Sequence, residues 1–173
     1  ADVVVGLPDA QPVACGFAAQ AGLDLVPALR ERVVHAGAVF SEALGRQGKM
    51  TAARSSVGGL RIVLVLPSLI TGRIASHAVG ALRQAGATEV HVRISSPPIG
   101  SRCPFGVAGP PSGQLVAGGG SDQVIAASID ADSISWLSVE QLADILGGAG
   151  CAYCLDGKSP IGDDEEQLPL FGG

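Results

Sequence analysis

Aromatic residues are scarce in this sequence: they fill 3% of its 173 positions, with a single Trp and a single Tyr. A ring-filled core is therefore excluded, and Ala, Val, Leu and Ile must supply the interior, which favours layered α/β packing over a β-sandwich. Charge is also sparse, at 16% of residues with a net charge of −5. That balance excludes a general nucleic-acid binder, because phosphate binding needs a basic surface. Long apolar runs are missing too. The longest, over residues 62–70, is interrupted by Pro67 and Ser68 and is too short to span a bilayer. The opening "ADVVVGLPDA" carries no basic–apolar leader, so a soluble, cytoplasmic protein is expected. No repeat at a solenoid period is present.

What remains is a globular composition, 47% hydrophobic, long enough for one domain with a buried core and an appended tail. "DVVVGLP" (residues 2–8) reads as a buried strand ended by a Pro-Asp turn, and "PVACGFAAQAG" (12–22) as a small-residue helix with Pro in its first turn and Gly at its end. Residues 23–40 are ambiguous, with a possible strand before Pro27, and "SEALGRQ" (41–47) offers a helical turn capped by Ser41. Residues 60–65 form the strongest strand, almost continuously apolar as buried parallel strands are. A helix over 75–84, with Ala75, Val79 and Leu82 on one face, and a strand over 90–94, alternating through His91 and Arg93, complete a βαβ unit. Residues 95–120 are a long Pro-, Ser- and Gly-rich loop of the kind that is usually functional. Beyond it come a Ser-capped helix "SDQVIAASI", a strand "SISWLS", a second capped helix "SVEQLADIL", a Cys-x-x-Cys pair and an acidic end, "GDDEEQLPLFGG".

Four cysteines in such a chain point to metal binding or buried thiols before disulfides. Cys151 and Cys154, two residues apart, suit a metal, redox work or a small-residue turn. No thioredoxin-like pattern surrounds them. Cys15, within the first helix, is read as a small buried hydrophobe.

The combination of "AGATEVHVRISSPPI", Cys103 shortly after it, "DADSISWLSVEQL" and the terminal "CAYCLDGKSP" resembles the C-terminal phosphoribosyltransferase domain of glutamine phosphoribosylpyrophosphate (PRPP) amidotransferases. The resemblance runs over residues 2–160. It implies a type I phosphoribosyltransferase fold, a mostly parallel twisted sheet flanked by helices with a smaller hood. Residues 1–155 would be that domain, lacking its N-terminal part, and 156–173 an acidic tail. It also implies a [4Fe–4S] cluster, with Cys103, Cys151 and Cys154 as three thiolate ligands and the fourth outside this chain. The competing reading is three packed thiols or a zinc site.

The resemblance makes the turn after the strongest strand the substrate loop. The family carries two adjacent acids there for the ribose hydroxyls, with Mg²⁺ nearby, and two threonines that help hold the 5′-phosphate at a helix N-terminus. This sequence has Leu66 and Pro67 in place of the acids and Arg73 and Ile74 in place of the threonines, while Ser68 and Gly72 remain; Thr71 adds a hydroxyl. Arg30 and Arg32 persist in "RERVVHAGAVF", where the family's pyrophosphate-covering loop has a Gly-Arg-Thr segment, and His35 is either a replacement polar group or an ordinary surface-loop histidine. The early turn is shortened to "PDAQ" at residues 8–11. The expectation is a domain that has lost PRPP binding, with no catalytic residues of its own and no Mg²⁺. It would act as an iron–sulfur-bearing scaffold for a glutaminase-type domain or subunit, N-terminal to it or paired with it, in a homo- or hetero-oligomer. The alternatives are a repurposed amidotransferase with another substrate and a working enzyme of purine biosynthesis.

Overall fold

The computed structural model describes residues 1–32, 49–105, 112–148 and 150–158. Five strands form one all-parallel sheet in the order β2-β1-β5-β6-β7: β1 (Val3–Gly6), β2 (Asp24–Leu25), β5 (Arg61–Leu66), β6 (Glu89–Ile94) and β7 (Ser133–Trp136). A separate antiparallel pair joins β3 (Leu29–Arg32) to β4 (Lys49–Ala52). This pair was not legible in the sequence.

Strand β5 is central and buried on both faces, which explains its unbroken apolar run. On one face Ile62, Leu64 and Leu66 join Val90, Val92 and Ile94 of β6 in the main core. Helix α3 (Arg73–Gln84) covers this face with Ala75, Ala78, Val79, Ala81 and Leu82, and α4 (Asp122–Ser128) adds Ile125 and Ala126. Full burial of each branched aliphatic side chain is worth about 1.5–3 kcal/mol, so this layer supplies most of the driving force. On the opposite face Val4, Val63 and Val65 pack against Ala14 and Ala18 of α1 (Gln11–Ala21) in a smaller cluster. Small residues let α1 approach closely: a Cβ on Gly6 would lie 2.7 Å from Ala14 Cβ.

The remaining helices are short: α2 (Arg54–Val57), α5 (Val139–Ile145) and α6 (Tyr153–Asp156). Ser138 and Gln141 form the expected reciprocal capping box on α5. Two local expectations are corrected. Ser121 precedes α4 in extended conformation but makes no cap bond, and Cys15 is exposed because it lies on the outer side of α1, away from Ala14 and Ala18. Among the described residues no helix is long and apolar enough to cross a membrane. The anticipated turn at 41–47, His35 and most of the acidic tail lie outside the described residues.

Candidate functional site

The chain leaves β1 toward β2 and leaves β5 in the opposite direction toward β6, so β1 and β5 flank the point where strand order reverses. Ligands of open α/β sheets bind outside the carboxyl ends of the strands at such a point. Two turns meet there. After β1, the "PDAQ" segment forms a 3₁₀ turn over Pro8–Ala10, and Gln11 Nε2 donates to the Gly6 and Leu7 carbonyls, both at 3.1 Å. After β5 comes the turn spanning residues 67–72.

Leu66 belongs to the strand rather than to the turn. It pairs with Ile94 and is 1% exposed, a core residue whose apolar side chain takes it out of the loop chemistry. Pro67 and Ser68 are half-buried, Leu69 is buried, and Thr71 is exposed. Ser95 fastens this turn to the end of β6. Its amide donates to the Leu66 carbonyl at 3.0 Å, and its hydroxyl lies 3.3 Å from the Leu66 and Pro67 carbonyls. The Val116 amide donates to the Ile70 carbonyl at 2.7 Å, tying the long loop to the same turn. Gly72 precedes α3 at φ +75°, a left-handed conformation that suits glycine.

Helix α3 starts with no side-chain cap, and Arg73 and Ile74 are exposed on its first turn. Chemically the turn therefore offers hydrogen-bond donors: free first-turn amides, the Arg73 guanidinium and the Thr71 hydroxyl. From residue 66 to residue 73 no carboxylate is present. Such a turn suits an anion and offers a sugar diol no charged acceptor. Arg30 lies exposed on β3.

The cysteine-bearing segments meet at a second place. The Cys154 carbonyl accepts hydrogen bonds from the Gly100 and Ser101 amides at 2.9 and 3.1 Å, which docks α6 onto the loop carrying Cys103. Phe105 and Tyr153 add an edge-to-face aromatic pair with centroids 6.2 Å apart. Cys103 and Cys154 are partly buried and Cys151 is exposed. Among the described residues, no three His, Cys, Asp or Glu side chains form a group able to hold a metal ion. The Ser95 clamp and the Gln11 bridge were missed in the sequence. Both act through backbone carbonyls and leave no residue pattern.

No family model matches the chain. Amidophosphoribosyltransferase from Bacillus subtilis is 39% identical over 175 residues, covering 92% of this chain and 36% of that enzyme. The chloroplastic enzyme of Glycine max is 34% identical, covering 99% and 32%. The chain is an amidophosphoribosyltransferase homologue. The structure of glutamine PRPP amidotransferase from B. subtilis, complexed with ADP and GMP, superposes with a TM-score of 0.76 at 34% identity, covering 94% of this chain and 39% of that one. A second structure, of the allosteric regulatory enzyme of purine biosynthesis, gives 0.77 at 35% identity. The five-stranded sheet and its helices are thus a type I phosphoribosyltransferase fold. This homologue spans about a third of the length of the curated amidophosphoribosyltransferases it matches.

Proposed function

We propose that this amidophosphoribosyltransferase homologue has lost PRPP binding and serves as a structural partner of a glutaminase-type domain. One observation carries the reading: the turn after β5 holds no carboxylate, and the strand end that leads into it is Leu66, 1% exposed in the core. A ribose diol held there would leave its hydroxyls unpaired, at about 1–3 kcal/mol for each buried group. Pro67 also removes a backbone donor. With no acid pair, the turn offers Mg²⁺ no hard oxygen charge.

The docking of α6 on the loop before Cys103 supports the cluster reading. The thiol donor set suits iron, and Cys103, Cys151 and Cys154 would hold a [4Fe–4S] cluster together with a fourth ligand from outside this chain. The final approach of the thiols would accompany binding, since no three-ligand group is formed among the described residues. When bound, the group supplies a cross-link between the sheet and the C-terminal segment. The chain's own hydrogen bonds at Gly100 and Ser101 set the approach of that segment.

The test is phosphoribosylamine formation from PRPP and ammonia by the natural assembly. No product above background is expected. Product formation would contradict the proposal.

A second reading, a repurposed or still working enzyme, is favoured by the uncapped start of α3 with Arg73 and Thr71 beside it. Inorganic phosphate that raises the melting temperature of the chain, and fails to do so in Arg73→Ala, would support an anion-binding turn.

A further inference from the structure

The sheet is covered unevenly. Residues paired across parallel strands share a face, and the register matches Val63 with His91, Val65 with Arg93, His91 with Ser133 and Arg93 with Ser135. All of these therefore lie on the α1 face. Helix α1 seals only its β1–β5 part, through Val4, Val63 and Val65. Over β6 and β7 the same face is a polar floor. The ring of His91, its side chain 25% exposed, sits between Glu89 Oε2 and Ser133 Oγ, at 2.9 Å from each. Arg93 Nη1 donates to the Val92 carbonyl at 2.9 Å and to Ser133 Oγ at 3.3 Å.

Two physical points make this floor informative. All-parallel sheets carry helices over both faces, and here half of one face has none among the described residues. In addition, Arg93 is half-buried, with its pKa pulled down by desolvation, yet it has no carboxylate within ion-pair distance among the described residues. A desolvated guanidinium that donates only to neutral oxygens is left short of its best partner, a bidentate carboxylate.

We propose that the α1 face of β6 and β7 is a docking surface for a helix of polypeptide outside this chain, which places an Asp or Glu carboxylate on Arg93 and covers His91 and Ser133. The occupant is a helix because that is the element that closes parallel sheets. It comes from outside because the matched relatives are about three times longer than this chain. The carboxylate follows from the charge of Arg93. The inference holds whether or not the substrate turn binds PRPP.

The test is histidine acylation by diethylpyrocarbonate, read peptide by peptide, on the 173-residue chain alone and on the natural assembly purified from its source. His77, exposed on α3, is the internal reference. His91 should react readily in the chain alone and about tenfold more slowly in the assembly. Arg93→Glu should restore its reactivity there, with Arg93→Gln giving a smaller effect and His77 unchanged. Equal His91 reactivity in both samples would overturn the proposal. So would protection already present in the isolated chain, whether it disappears on removal of residues 159–173, marking the chain's own acidic tail as the cover, or on dilution, marking a second copy.

Discussion

Replacing Leu66 by Asp probes the end of β5, where the chain enters the turn, from the side of stability. Leu66 is 1% exposed, lies in register with Ile94, and joins the main core at the end of β5. Losing its apolar burial, with the cavity left behind, costs about 2–5 kcal/mol. A buried carboxyl adds roughly 1–3 kcal/mol more even when one hydrogen bond remains to be made. Ser95 is the nearby donor, and its hydroxyl already serves the Leu66 and Pro67 carbonyls. Together the loss is about 3–8 kcal/mol, a large share of the roughly 5–15 kcal/mol that holds a domain. Urea unfolding, followed through Trp136 on β7, should show it, with the deficit growing as pH rises above about 4, where the unfolded carboxyl ionises. Pro67→Asp, at a half-buried position, should cost no more than about 1 kcal/mol. A Leu66→Asp variant that loses less than about 1 kcal/mol would refute the argument that core packing has displaced acid chemistry at this strand end.

Gly72→Ala should lower stability by about 1–2 kcal/mol, because φ is +75° and the added Cβ would lie 3.2 Å from Ile129 Cγ2; an unchanged urea midpoint would speak against that geometry. Hydrogen bonds from the Arg61 side chain and amide hold the Asp2 carboxyl down at about 2, below its usual 3.8. A depressed carboxylate stabilises the fold above the unfolded value and loses that contribution as pH falls from about 4 toward 2, so Asp2→Asn should flatten the unfolding profile across that window. The natural assembly, purified without oxygen, should contain iron and acid-labile sulfide that Cys154→Ser removes; a folded assembly with neither would contradict the cluster proposal.

The parallel sheet was legible because its signals are local. The apolar run ending at Leu66, the 3.6-residue spacing of Ala75, Val79 and Leu82, and the Ser138–Gln141 box each state their element within a few residues. Strands β3 and β4 were hidden because "LRER" and "KMTA" carry little apolar alternation and exist by pairing with each other across a long connection. At the site, the residue types could be read but their depth could not. That Leu66 is a wall of the core, and that Cys154 is anchored through its carbonyl to the Gly100 and Ser101 amides, depends on strand length and loop docking that no spacing rule reports. The polar face at His91 and Arg93, bare of helices among the described residues, likewise emerges only from register across three strands.

Calorimetric titration of the folded natural assembly with PRPP and Mg²⁺ tests the central claim most directly. The account predicts no binding heat at millimolar ligand, corresponding to less than about 4 kcal/mol of affinity. Saturable, Mg²⁺-dependent binding in the micromolar range would contradict it, and would mean that groups other than Leu66 and Pro67 now hold the ribose.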